Sequence, residues 1–123
     1  MARVLVIDDD EPIREVLRGI LEGLGHEVLE AADGQSGIDL NRSHKPALVI
    51  ADIIMPEMDG LEVIRELRRE SPDVKVMAVT GYDEKGEKGY LALAEEYGAN
   101  RTFNKPVEPG EIEQAVADLL DQT

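Results

Sequence analysis

The chain has 123 residues, no cysteine and a formal net charge of −14 at pH 7. This length suits one domain, so we expect residues 1–123 to form a single domain, and the lack of cysteine excludes disulfides and cysteine-ligated zinc. The acidic balance argues against direct binding to nucleic-acid phosphates and to anionic lipid. No apolar run is long enough to span a membrane, and the N-terminus lacks a signal-peptide pattern, so we expect a cytoplasmic protein.

Short apolar runs alternate along the chain with segments of helical periodicity. In chain order, the sequence predicts strands at 4–7, 28–31, 47–51, 74–79 and 101–103, and helices at 13–24, 37–43, 61–67, 83–97 and 112–120. The first, third and fourth strands are almost wholly apolar, which is typical of central strands in a parallel sheet, whereas the other two suit its edges. The alternation predicts an α/β fold, a doubly wound (βα)₅ sheet covered by helices on both sides.

Polar residues follow four of the five predicted strands. They are Asp8, Asp9 and Asp10 after the first strand, Asp52 after the third, Thr80 and Gly81 after the fourth, and Asn104, Lys105 and Pro106 after the fifth. Ligands of such sheets bind at the carboxyl ends of the strands. Three aspartates meeting there would repel one another, so either their pKa values rise or a cation neutralises them. Hard carboxylate oxygens favour Mg²⁺, with Mn²⁺ as an alternative, over zinc.

The remaining strand-end groups suit an anion. Lys105 offers a point charge and Thr80 a hydroxyl, and together with a metal and a carboxylate nucleophile they are the components of phosphoryl transfer to aspartate. Each piece alone has an ordinary explanation, because aspartates cap helices and Thr-Gly and Lys-Pro are common turn pairs. Their meeting at one sheet edge favours a site. The sequence contains no Walker A loop, no G-x-G-x-x-G motif and no nucleophile elbow.

The motifs VLVIDDDEPIREVL, AADGQSGI, LVIADIIMPEMDGLEVIREL, VMAVTGYDE and GANRTFNKP resemble those of bacterial response-regulator receiver domains of the chemotaxis-regulator type. The resemblance covers essentially the whole chain. It implies a flavodoxin-like three-layer sandwich with strand order 2-1-3-4-5, and a phosphoacceptor module of a two-component or phosphorelay system that is not a turnover enzyme. It also implies a sensor histidine kinase or histidine phosphotransfer protein as a partner, and a downstream target protein or a missing output domain.

The resemblance assigns roles residue by residue. Asp52 would be the phosphoacceptor, and Mg²⁺ would be held by the carboxylates of Asp8, Asp9 and Asp52 together with the backbone carbonyl of Ile54. The phosphoryl group would be contacted by Thr80 and Lys105, and the small Gly81 would leave room for it. The peptide bond between Lys105 and Pro106 would be cis. Phosphorylation would switch the surface formed by the fourth helix, the fifth strand and the fifth helix.

One position departs from the family pattern. Receivers usually carry an aromatic residue three positions before the lysine, and here that residue is Thr102. Strand alternation places the neighbouring Phe103 on the opposite side of the sheet, where we expect it to pack in the core. Three alternatives therefore stay open: an interaction-only receiver, a receiver cut from a longer DNA-binding or enzymatic regulator, and an aspartate-based phosphatase using Asp8 and Asp10.

Overall fold

The structure is a computed structural model that describes residues 1–53, 60–80, 90–105 and 108–120, without the side chains of Tyr90 and Leu91. Strands and helices alternate throughout: β1 (Arg3–Ile7), α1 (Glu11–Gly23), β2 (Glu27–Ala31), α2 (Gly34–His44), β3 (Leu48–Asp52), α3 (Gly60–Glu70), β4 (Lys75–Thr80), α4 (Tyr90–Tyr97), β5 (Arg101–Asn104) and α5 (Pro109–Leu120). The predicted (βα)₅ alternation is confirmed.

The helix boundaries differ from the prediction where capping overrides apolar periodicity. Helix α2 begins at Gly34 rather than Gly37, because the Asp33 side chain caps it by accepting a hydrogen bond from the backbone N–H of Ser36 at 2.8 Å. Helix α1 ends at Gly23, and its capping residue Leu24 is followed by Gly25 at φ 89°. The early part of the predicted fourth helix lies outside the described residues.

The described strands form one parallel sheet in the order β2-β1-β3-β4-β5. The predicted flavodoxin-like order and the two predicted edge strands are therefore confirmed. Strand β3 is buried along its whole length, which explains why its first four residues, 48–51, are all apolar. The carboxyl ends of all five strands lie at the same edge of the sheet, so the residues that follow them are brought together.

Each face of the sheet carries its own apolar core. One core joins alternate strand residues such as Leu5 and Val49 to α2, α3 and α4, and the other joins Val6 and Ile50 to α1 and α5. Phe103 packs against the second core, as predicted. No described helix has the length and apolar character needed to cross a membrane.

Thr102 makes a polar contact with α4. Its hydroxyl donates to Glu95 Oε1 at 3.4 Å. At the position where receivers usually carry an aromatic side chain, this protein therefore has a small polar link between β5 and α4.

Helix α3 begins in direct contact with the end of β3. The backbone N–H of Gly60 donates to the carbonyl of Ile53 at 2.7 Å. A side chain at Gly60 would place its Cβ 2.3 Å from the carbonyl oxygen of Asp52, closer than real atoms approach. Glycine is required here because two backbones meet without a side chain between them.

Arg68 ties together three segments near the amino ends of β4 and β5. Its guanidinium donates to the carbonyls of Pro72, Val74 and Gly98, each at 2.7 Å, and to Asn100 Oδ1 at 3.0 Å. Partial burial lowers the pKa of Arg68 from its ordinary value. Gly98 adopts φ 118°, and a Cβ there would lie 2.9 Å from Arg68 Nε. The start of β4 and the turn between α4 and β5 are thus fixed by one side chain.

Candidate functional site

Three carboxylates meet at the carboxyl edge of the sheet. Asp8 follows β1 and Asp52 ends the adjacent β3, and the register pairs the preceding residues Ile7 and Ala51. Asp8, Asp9 and Asp52 each place a carboxylate oxygen within 4.8 Å of the others. Asp8 and Asp52 are buried, whereas Asp9 is exposed. The convergence expected from the sequence is therefore present.

The side chain and backbone N–H of Asp8 are fully engaged. The N–H donates to the carbonyl of Ala31 at 3.1 Å, which continues the pairing of β1 with β2. Carboxylate Oδ1 accepts the backbone N–H of Asp10 at 2.9 Å. Oδ2 accepts the Lys105 ammonium at 2.9 Å. The carboxylate is thus held in one orientation before any ligand arrives.

Lys105 joins two of the carboxylates. Its Nζ lies 2.9 Å from Asp8 Oδ2 and 3.4 Å from Asp52 Oδ2. Burial lowers the pKa of Lys105, but the hydrogen bond to Asp8 and the charge of Asp52 outweigh that effect and raise the pKa above 10.5. Lys105 therefore stays cationic at neutral pH. The backbone bond from its N–H to the Thr80 carbonyl at 2.9 Å places it at the site.

Thr80 ends β4 with a buried hydroxyl. The residue is 0% exposed, and its Oγ1 has no hydrogen-bond partner among the described residues. An unsatisfied buried hydroxyl costs free energy, so such groups are often kept for a ligand. Because strand β4 lies next to β3, the hydroxyl is on the element adjacent to Asp52. The predicted role of this hydroxyl towards a phosphoryl group stays a prediction.

The donor set fits a divalent cation with a preference for oxygen. Three carboxylates face one ammonium, which leaves an excess of negative charge for a cation to offset. The predicted roles of Ile54, Gly81 and Pro106 fall outside the described residues and remain predictions. The coarser expectation of an acidic metal-binding cluster is supported by the observed grouping.

Asp10 takes a different role from its two neighbours. Its carboxylate caps α1, accepting the backbone N–H of Ile13 at 3.4 Å, and it is not part of the carboxylate group that the described residues form. The Asp-x-Asp pair needed by the phosphatase alternative is therefore divided: Asp8 lies in the carboxylate cluster and Asp10 caps a helix.

Sequence reasoning missed Arg14 and Glu30, which contact this region. Arg14 Nη1 donates to the backbone carbonyl of Asp8 at 2.7 Å, and its Nε donates to Glu30 Oε1 at 3.2 Å. The sequence did contain a signal for the Arg14 contact. Side chains of a helix tilt towards its N-terminus, so an arginine in the first turns of the helix after the acidic run can reach back to that run.

The family model for the response regulator receiver domain matches residues 4–117. The alkaline phosphatase synthesis transcriptional regulatory protein PhoP of Bacillus subtilis is 33% identical over 118 residues, covering 96% of this chain and 48% of that protein. Response regulator MprA of Mycolicibacterium vanbaalenii is 36% identical over 121 residues, covering 98% of this chain and 51% of that protein. The chain thus spans about half the length of these curated relatives.

Solved structures give the same result. A CheY-like response regulator receiver domain protein of Methanospirillum hungatei superposes with a TM-score of 0.92 at 30% identity, covering 99% of this chain and 95% of that one. The receiver domain of NtrX from Brucella abortus gives a TM-score of 0.89 at 28% identity, covering 98% and 99%. With the sheet order and the acidic cluster already established, these matches mean that the chain belongs to the response regulator receiver domain family of two-component signal transduction.

Proposed function

We propose that this receiver is switched by Mg²⁺-dependent phosphorylation of Asp52, with the phosphoryl group supplied by a sensor histidine kinase or a histidine phosphotransfer protein. The observation that carries the proposal is the placement of Lys105 against both Asp8 and Asp52 inside a group of three carboxylates. An ordinary solvated acidic turn would not bring the cation that follows an edge strand into contact with two buried aspartates.

The residues divide the chemistry between them. When bound, Mg²⁺ would offset the carboxylate charge and neutralise charge on the phosphoryl oxygens. A carboxylate oxygen of Asp52 attacks the phosphorus, the bond from phosphorus to the donor imidazole nitrogen breaks, and the imidazole takes up a proton. Lys105 and the Thr80 hydroxyl stabilise charge on the transferred oxygens. The product is an acyl phosphate, which water hydrolyses, so the modification is temporary.

In this proposal the domain promotes its own modification but turns over no separate substrate. The Thr80 hydroxyl has no hydrogen-bond partner among the described residues, and attachment of the phosphoryl group gives it an acceptor, which favours a conformation in which that bond forms. The observed polar link between Thr102 and Glu95 lies on the β5 and α4 part of the proposed output surface. The conformational change at this surface therefore proceeds without the aromatic side chain that receivers usually carry at the position of Thr102.

The partners of the whole protein follow from its relatives only as a proposal. Several relatives are named as transcriptional regulators and are about twice as long as this chain, which supports an output module that binds DNA. Those names conflict with a general expectation of no nucleic-acid partner. We confine that expectation to the acidic 123 residues themselves, and we propose a cytoplasmic location, which is typical of the family.

Acetyl phosphate labelling tests the proposal. The wild type should gain one phosphoryl group in a Mg²⁺-dependent reaction, measured by intact mass, and Asp52→Asn should gain none. Asp33→Asn is a matched control, because it makes the same chemical change at a half-buried helix cap outside the carboxylate cluster. Full labelling of Asp52→Asn would exclude Asp52 as the acceptor. A wild type that is not labelled under any Mg²⁺ concentration would favour the interaction-only receiver.

A further inference from the structure

The main-chain carbonyl of Asp8 is held by a side chain rather than by the sheet. Strand β1 ends at Ile7, so the carbonyl of the buried Asp8 lies beyond the strand pairing. A buried carbonyl without a donor would cost about 1–3 kcal/mol. Arg14 Nη1 supplies the donor at 2.7 Å. The strand-to-helix connection that carries the proposed metal ligands is therefore fixed from α1.

Arg14 is itself fixed by β2. Its Nε donates to Glu30 Oε1 at 3.2 Å, and the other oxygen of Glu30 accepts Nη1 of Arg18, one turn further along α1. The Arg14 side chain is only 15% exposed. One planar guanidinium thus spans from the β2 carboxylate to the Asp8 carbonyl, an arrangement that a flexible ammonium does not reproduce.

The contact between Arg14 and Asp8 has a direct consequence for the carboxylate cluster. The Asp8 N–H donates to the Ala31 carbonyl, and the Arg14 side chain donates to the Asp8 carbonyl, so the peptide planes on both sides of Asp8 are set. The Asp10 N–H and Lys105 set its carboxylate. Arg14 meets Asp8 at the main chain, and its charge is paired with Glu30. Its influence on a bound cation is therefore through the orientation of the ligand, not through charge placed beside the ion.

We infer that Arg14, anchored by Glu30, is a positioning residue for the divalent cation site, because it fixes the main chain of the ligand Asp8. This inference rests on the proposed function, since it assumes that Asp8 holds Mg²⁺. It adds a second layer of residues behind the cluster, drawn from α1 and β2, that no strand-end motif identifies.

Mg²⁺ titration of the full chain by calorimetry tests the inference without any phosphorylation. Arg14→Ala should weaken Mg²⁺ binding about tenfold, the lower end of the usual effect of residues behind metal ligands. Arg14→Lys keeps the charge and the apolar stem, so it should fold, and it should also bind Mg²⁺ more weakly. At saturating Mg²⁺, labelling of both variants by acetyl phosphate should return towards the wild-type rate, because Asp52, Thr80 and Lys105 are unchanged.

Arg18→Ala is the matched control, because Arg18 lies on the same helix and shares Glu30 but has no bond to Asp8 among the described contacts. It should leave Mg²⁺ affinity unchanged. Wild-type affinity in both Arg14 variants would overturn the inference, as would an equal loss in Arg18→Ala. The result is different if the proposed function fails in its premise that Asp8 holds Mg²⁺. Asp8→Asn would then bind Mg²⁺ with wild-type affinity.

Discussion

Replacing Lys105 by methionine should tighten Mg²⁺ binding while weakening the response to phosphorylation. The ammonium of Lys105 occupies the space between Asp8 and Asp52, at 2.9 Å and 3.4 Å, so it competes with a divalent cation for the same two carboxylates. Methionine keeps the length and apolar stem of lysine but carries no charge. The substitution removes the competitor and leaves the ligands in place.

The magnitude follows from the burial of the pair. Two unit charges at 4 Å attract by about 4 kcal/mol at an effective dielectric constant near 20, whereas exposed pairs are worth only about 0.2–1 kcal/mol. The Lys105 side chain is 19% exposed, between these limits. Allowing for solvent screening and for partial retention of the contact, we expect a gain of about 1–2 kcal/mol, or roughly 5- to 30-fold in Mg²⁺ affinity.

Calorimetric titration of Mg²⁺ at neutral pH measures the effect. Lys75→Met is the control, because it makes the same charge change at the first residue of β4, the opposite end of the sheet. Equal tightening in both variants would assign the effect to net charge rather than to competition. Weaker Mg²⁺ binding in Lys105→Met would refute the competition between lysine and cation, since it would mean that Lys105 stabilises the cation site.

Three further predictions concern stability. Thr80→Val should raise the free energy of unfolding by about 1 kcal/mol, because it removes a buried hydroxyl that has no hydrogen-bond partner among the described residues. It should also weaken the response to phosphorylation, and a loss of stability in urea would contradict the prediction. Gly60→Ala should cost about 1–3 kcal/mol by collision with the backbone of Asp52, whereas Gly23→Ala, with open space around it, should be neutral or stabilising in the same urea series. Hydrogen bonds from Ser36 lower the pKa of Asp33 below 3.8, so the stability that the charged cap provides is present above that value and lost as the pH falls through the folded pKa. Asp33→Asn should remove this part of the acid dependence, and an unchanged pH profile would argue against it.

Local patterns predicted the fold because each central strand is buried on both faces and reads as a continuous apolar run. The positions of Asp52, Thr80 and Lys105 could be predicted as well, because the carboxyl ends of parallel strands share one edge of the sheet. The start of helix α2 was harder to predict from the sequence. Its first turn follows the Asp33 cap and contains glycines, and it has no apolar stripe that would mark it as helical. Its start was therefore predicted too late.

Sequence reasoning did not find the contacts that depend on long side chains crossing between elements. Arg14 reaches back along the chain to Asp8 and sideways to Glu30, and neither partner is encoded by spacing within one element. Arg68 likewise bonds to Gly98, thirty positions away in sequence. Such contacts become visible only after the strands are ordered, because the order decides which helix lies over which loop.

The Arg68 contacts hold the carboxyl-terminal end of α4. The helix ends at Tyr97, and the carbonyl of the next residue, Gly98, accepts a hydrogen bond from a guanidinium that also donates to two carbonyls in the connection between α3 and β4. Because this end is held, we expect any displacement of α4 to be smallest beside Gly98 and to grow towards Tyr90. Arg68 would then be the fixed point of such a motion, at the amino ends of β4 and β5 and away from the carboxylate cluster.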